Sequence, residues 1–287
     1  MKKDSIKPLK IAQAVMIQHT LFSLPFAASA LLLETGGVIP SQKLLWIFLA
    51  IIGARNGANA LNRLVDHSLD AKNPRTAGRH LPSSRLTRFD LWVFALACIL
   101  LLVGSTCMLN WLCVALLPVA LAMVFTYSYT KRFTYLCHYF LGATVAIAPM
   151  GTLLALNGAF AFRYFIVSAA VATWVAGFDI IYATQDIDFD REQGLHSIPA
   201  RFGAKKALYI AAFSHLVSFV LLVLWGSFYQ VGFWYYGGCL AVGSLLFVEN
   251  ALVAPGTLKH VTTAAYHINE IVSVLFLTFV ALEVYLP

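Results

Sequence analysis

Arg55-Asn56-Gly57-Ala58-Asn59-Ala60-Leu61-Asn62-Arg63-Leu64-Val65-Asp66-His67-Ser68-Leu69-Asp70 is the stretch that decides how this chain folds. It closes an apolar run that begins near Gln42. At about 100° per residue, Arg55, Asn59, Asn62, Asp66 and Asp70 fall within roughly 80° of one helix face. Five polar groups on one stripe of a membrane helix are very costly against lipid. The stripe therefore lines a bundle interior or an aqueous cavity, and a purely structural network of buried polar pairs is the plainer alternative. Oxygen ligands at i, i+4 and i+8 (Asn62, Asp66, Asp70) suit a hard cation such as Mg2+.

The rest of the chain supplies the membrane setting. Of 287 residues, 60% are hydrophobic and only 11% charged, where a soluble domain carries about 25% charged residues. Mean hydropathy is +0.77. These values exclude a soluble enzyme with an ordinary surface. They also exclude a disordered or nucleic-acid-binding chain, despite a formal net charge of +7. Apolar segments near 11–33, 42–65, 89–108, 110–129, 134–156, 163–184, 206–228, 232–252 and 266–286 each approach the roughly 20 residues that a helical span requires. The expected fold is an all-α integral membrane bundle of about nine transmembrane helices, with a central cavity opening near the cytoplasmic face. Residues 1–287 form one membrane-embedded domain in this reading, and the connectors 66–88 and 185–205 are its long polar loops.

Charge orients the spans. With the N-terminus in the cytoplasm, the cytoplasmic side holds four basic residues in the tail, six over 63–88, two in the turn 130–133, four over 191–206, and Lys259. That is 17 of the 20 Lys and Arg, the bias expected of cytoplasmic loops. The N-terminus and the polar loops are thus expected in the cytoplasm, in a multi-pass protein of the cell's inner membrane, with the C-terminus outside.

A second polar stretch mirrors the first. Asp179-Ile180-Ile181-Tyr182-Ala183-Thr184-Gln185-Asp186-Ile187-Asp188-Phe189-Asp190 closes the sixth span. Asp179, Asp186 and Asp190 share a face with Tyr182 at its edge, and Asp188 points away. Carboxylates converging there would repel one another, so a divalent metal or the neighbouring arginines must resolve the conflict. Arg75 and Arg79 follow the first cluster, Lys131 and Arg132 occupy a short turn, and Arg191 follows the second. Arginine grips phosphate oxygens bidentately and lysine acts as a point charge. Acids and bases at one membrane face, above an apolar bundle, suggest a diphosphate head held by Mg2+ and a lipid tail in the bundle.

The motifs carry a resemblance. Asn62-xxx-Asp66-xxx-Asp70, Arg75-Thr76-Ala77-Gly78-Arg79-His80-Leu81-Pro82, Tyr127-Ser128-Tyr129-Thr130-Lys131-Arg132, Asp179-xx-Tyr182-xxx-Asp186-xxx-Asp190 and Gly194-xx-Ser197-Ile198-Pro199 are similar to those of the UbiA superfamily of intramembrane aromatic prenyltransferases, over nearly the full length. The wording is nearest the quinone-biosynthesis branch: 4-hydroxybenzoate polyprenyltransferases and, more closely, the menaquinone enzymes of the futalosine route. One departure stands out: Arg63 follows Asn62 where family members often have Asp.

The resemblance implies transfer of a polyprenyl group from its diphosphate to a hydroxylated aromatic carboxylate, favouring a 1,4-dihydroxy-6-naphthoate-like acid over 4-hydroxybenzoate. It implies Mg2+ held by Asn62, Asp66 and Asp70, with a second ion on Asp186 and Asp190. Arg75, Arg79 and Lys131 would hydrogen-bond the leaving diphosphate, with Asn59 and Tyr182 also at the substrates. Asp66, Lys131 and Asp179 are the expected catalytic residues. Asp179 either takes the ring proton or orients Lys131. Arg55 either meets the acceptor carboxylate or pairs permanently with an acid of the protein. Rival readings are an ion-coupled transporter, whose acids would gather at the midplane, a structural protein with a polar core, and a haem-farnesylating relative.

Overall fold

The computed structural model describes residues 7–253 and 260–286, and these are helical nearly throughout. The α-helices are α1 (Lys7–Ala14), α2 (Thr20–Thr35), α3 (Ser41–Val65), α4 (His67–Lys72), α5 (Arg88–Cys107), α6 (Trp111–Thr126), α7 (Cys137–Asn157), α8 (Phe162–Ala183), α9 (Ile187–Glu192), α10 (Ile198–Gly226), α11 (Phe233–Leu252) and α12 (Asn269–Tyr285). Lys2, Lys3 and Lys259, counted in the charge argument, lie outside the described residues.

Seven of the described helical stretches are long and apolar enough to cross a membrane: Ser41–Val65, Arg88–Cys107, Trp111–Arg132, Cys137–Asn157, Phe162–Glu192, Ile198–Gly226 and Thr263–Tyr285. Two segments expected as spans are not among them. The stretch 11–33 is divided at Met16, whose left-handed backbone (φ 51°, ψ 59°) separates α1 from the 16-residue α2. The 20-residue α11 sets Glu249 and Asn250 among its apolar residues.

The two connectors expected as polar loops are largely structured. α3 stops at Val65, because Asp66 leaves helical geometry (φ −91°, ψ 3°), and α4 restarts at once with the Asp70 amide donating to the Asp66 carbonyl at 2.7 Å. Across the bundle, the 3-10 turn Thr184–Asp186 joins α8 to α9. Ser197 caps a short first turn of α10 by accepting the Ala200 amide at 3.2 Å, with a proline following. Gly203 (φ 79°, ψ 163°) then breaks the helix, so the long spanning part starts just beyond it, close to the expected 206.

α8 is the hub. Its span is 67% buried, against 17% for the one led by Trp111, so α8 is enclosed and α6 is peripheral. It packs on α7 and α10. Gly142 of α7 sits so near the Ala172 carbonyl of α8 that a Cβ would collide, and a Cβ on Gly53 of α3 would lie 2.7 Å from the Cys98 carbonyl of α5. Small residues allow such close backbone approach between membrane helices. Phe26 of α2 fills the core beside them, its ring 5.0 Å from Trp174 and 5.3 Å from Phe276. This packing brings the C-terminal ends of α3 and α8 to the same end of the bundle.

Candidate active site

The ends of α3 and α8 enclose a cavity of about 270 Å³. Arg55, Asn59, Asn62, Asp66, Asp70, Arg75, Arg79, Lys131, Asp179, Tyr182, Asp186 and Asp190 all line it. Asp188, placed on the opposite face by helical arithmetic, is not among the lining residues. The apolar part of the wall comes from Phe22, Leu141, Val145, Val175 and Phe178.

Each acid has its own partner. Asp66, 4% exposed, accepts from Lys131 Nζ at 2.6 Å, from Asn62 Nδ2 at 3.0 Å and from Arg132 at 3.4 Å. The 3-10 segment Tyr127–Arg132 delivers Lys131 and is tied to α3 by the Asn62 to Ser128 hydrogen bond at 3.2 Å. Asp70 Oδ1 accepts from Arg79 at 2.6 Å. Asp186 takes a bidentate grip from Arg75, which also bonds the Tyr182 hydroxyl and lies 4.7 Å from that ring's centroid. Burial is the largest influence and disfavours the Arg75 charge, but the hydrogen bond with Asp186 together with the charge interactions with Tyr182, Asp186 and Tyr266 outweighs it, and the guanidinium pKa is raised. Asp190 accepts from Ser197 at 2.8 Å.

Several working parts of the wall escape sequence reasoning. Asn73 bridges the two motifs, its Nδ2 donating to Asp186 at 2.9 Å and its Oδ1 accepting the Arg75 amide at 2.9 Å. His138 bonds Asp179 at 2.6 Å. Asp179 is therefore held by His138, and Lys131 is held by Asp66. Tyr266, on the π-helical turn Thr263–Ile268, packs edge-on to Tyr182 at 4.6 Å. An ionisable residue inside a span is itself a signal, and by that rule His138 is detectable. Asn73 and Tyr266 carry no such mark. Arg63, the departure from the family pattern, also lines the cavity, and its Nε donates to the Ala14 carbonyl at 3.0 Å, anchoring the N-terminal segment. Asn59 likewise holds the Val15 carbonyl at 2.7 Å.

Among the described residues, no three acids converge as a ready metal cluster. The donors nevertheless suit a divalent cation. Asp70 Oδ2 is buried without a hydrogen-bond partner among the described residues, and carboxylate and amide oxygens are the ligands Mg2+ prefers.

Two acidic helix ends of a membrane bundle thus share one cavity with several bases and an apolar wall. Residues 23–278 match the UbiA prenyltransferase family, and the chain belongs to it. It is a multi-pass membrane protein. A 4-hydroxybenzoate octaprenyltransferase of Vibrio parahaemolyticus is 29% identical over 248 residues, covering 85% of this chain and 83% of that one. The apo structure of a UbiA homologue from Aeropyrum pernix is 30% identical with a TM-score of 0.85, covering 93% of this chain and 98% of that one. A UbiA homologue from Archaeoglobus fulgidus bound to GPP and Mg2+ shares the fold at 16% identity and a TM-score of 0.69, covering 96% of this chain and 99% of that one.

Proposed function

We propose that this aromatic prenyltransferase moves a polyprenyl group from a prenyl diphosphate to a hydroxylated aromatic carboxylate in quinone biosynthesis, with Mg2+ as cofactor. The observation that carries the reading is the pairing of Asp66 with Lys131, Asp70 with Arg79 and Asp186 with Arg75 around one cavity that also has an apolar wall. Each pair can exchange partners, the acid turning to a metal and the base to a diphosphate oxygen.

Asn62, Asp66 and Asp70 would hold one Mg2+, and Asp186 with Asp190 a second. Bound Mg2+ supplies neutralisation of the charge on the leaving diphosphate. Lys131, Arg75 and Arg79 donate to the same oxygens as the allylic C–O bond breaks, where preorganised donors are most effective. Phe22, Phe178, Tyr182 and Tyr266 keep water from the allylic cation, and ring faces add roughly 1–2 kcal/mol each where well placed. Arg55 grips the acceptor carboxylate, with Asn59 beside it. Attack by the ring carbon forms the new C–C bond, and Asp179 accepts the displaced ring proton.

The names of the curated relatives support 4-hydroxybenzoate as the acceptor, while the motif wording supports the bicyclic dihydroxynaphthoate. Either acid offers the hydroxyl that activates the ring and the carboxylate that Arg55 would hold. We further read residues 1–287 as a single domain of nine spans in the cell's inner membrane, its N-terminus and the cavity mouth facing the cytoplasm. Labelling of cysteines placed at residues 72, 131 and 195 from the cytoplasmic side tests that orientation.

Mass spectrometry of products from the purified protein, given both acids together with one prenyl diphosphate, tests the activity. A prenylated aromatic acid formed only with Mg2+ is expected. Absence of any prenylated acid across acceptors and chain lengths would overturn the reading.

A further inference from the structure

His138 stands in the first turn of α7, 3% exposed, and belongs to none of the acidic or basic motifs. Its Nδ1 lies 2.6 Å from Asp179 Oδ2, and its Nε2 accepts the backbone N–H of Ile198 at 3.3 Å. An amide nitrogen only donates, so the Ile198 N–H facing Nε2 leaves Nδ1 as the ring's donor toward Asp179. The ring therefore donates to Asp179, and the first turn of α10 fixes its tautomer. Ser197, which caps that turn, also donates to Asp190. Among the described residues no hydrogen bond reaches the other oxygen of Asp179, which lines the cavity.

The geometry points to His138 as a positioning residue that pins Asp179 Oδ2 and so aims Oδ1 at the proton leaving the acceptor ring. This rests on the aromatic substitution proposed above. The C–O bond of the prenyl diphosphate breaks with its electron pair going to the diphosphate. The ring carbon then bonds the allylic cation. The C–H bond at that carbon gives its electron pair back to the ring and its proton to Asp179 Oδ1. His138 keeps its own proton throughout. The usual order, in which a carboxylate orients a histidine base, is reversed here.

Two substitutions at His138 separate positioning from packing. His138→Asn keeps a donor near the place of Nδ1 and loses the acceptor for Ile198. His138→Gln keeps a polar atom near the place of Nε2 and loses the bond to Asp179. Full-length protein in nanodiscs would be assayed with 4-hydroxybenzoate carrying deuterium at the ring carbons beside the hydroxyl. In His138→Gln, kcat should fall about 10–100-fold, KM for both substrates should hold, and a primary deuterium isotope effect absent from wild type should appear. His138→Asn should retain most of kcat without the isotope effect. Asp179→Asn, which leaves His138 in place, should show the same isotope effect as His138→Gln and covers the case where the His138 variants fold poorly. The inference is overturned if His138→Asn is the more damaged of the two, or if neither His138→Gln nor Asp179→Asn reveals an isotope effect. Failure of wild type to prenylate any aromatic acid would instead defeat the underlying reading, and this inference with it.

Discussion

Buried carboxylates sit at both ends of α8, and the two ends satisfy them in opposite ways. Near its N-terminus, Glu34 of α2 takes two hydrogen bonds from Arg163 (2.5 and 3.1 Å), one each from Tyr164 (3.1 Å) and Tyr229 (2.7 Å), and one from Asn157 (3.0 Å). These partners come from α7, α8 and the connection after α10. Near the C-terminus several acids divide the bases among them instead of one acid gathering them all: Lys131 and Arg132 go to Asp66, Arg79 to Asp70, Arg75 to Asp186 and His138 to Asp179. One oxygen of Asp70 has no hydrogen-bond partner among the described residues. An acid bound from several elements fastens a bundle. Acids that each hold a cation by its flexible end form a set that can change partners when a polyanion and a metal enter.

The comparison breaks most visibly at Asp186. Asp186→Ala should lower turnover by about 10²–10³-fold, since it would remove a proposed metal ligand and leaves Arg75 without its anchor, while the thermal unfolding midpoint barely moves. Asp66→Ala should behave alike. If either unfolds the protein, the site acids are fasteners too. Glu34→Gln should do the reverse. Removing one partner of a largely buried ion pair costs about 3–5 kcal/mol. Because Arg163 is one-third exposed, a loss of about 2–3 kcal/mol is the expectation after discounting for solvent screening. Denaturation in detergent reads this directly, with KM for the prenyl diphosphate unchanged.

A finer effect is expected at Arg55, which lines the cavity. Arg55→Ala should raise KM for the acceptor about 10-fold, as loss of a charge-assisted bond implies, and leave prenyl diphosphate binding intact. An equal loss for both substrates would place Arg55 in the structural network instead. The smallest effect belongs to Asp188, which is outside the cavity lining. Asp188→Ala should stay within about 0.5 kcal/mol in turnover and stability, and a large loss there would undo the assignment of faces on α9.

These contrasts also show what the sequence made legible. Acids at helical spacing inside apolar runs have only one physical home, and the acids named at the ends of α3 and α8 other than Asp188 line the cavity, whereas the neighbouring Arg132 and Arg191 are not among its lining residues. Pairing was hidden, because Lys131 meets Asp66 across 65 residues of chain and Arg75 meets Asp186 across 111, and no local spacing encodes such contacts. A span boundary failed where a single backbone choice intervened, the left-handed Met16 dividing the first segment, whereas the break at Gly203 puts the long part of α10 close to its expected start. The Glu34 knot went unseen because one acid near the end of an apolar helix gives no pattern to read.

The central claim is that the site acids are held by the protein's own cations until a diphosphate draws those cations away. Isothermal titration of Mg2+ into the protein, with and without an unreactive prenyl thiolodiphosphate, tests it most directly. Mg2+ should bind at least about 10-fold more tightly when the analogue is present, and by reciprocity the analogue should bind more tightly with Mg2+. Equal Mg2+ affinity in the two titrations would contradict the exchange of partners on which the proposed chemistry depends.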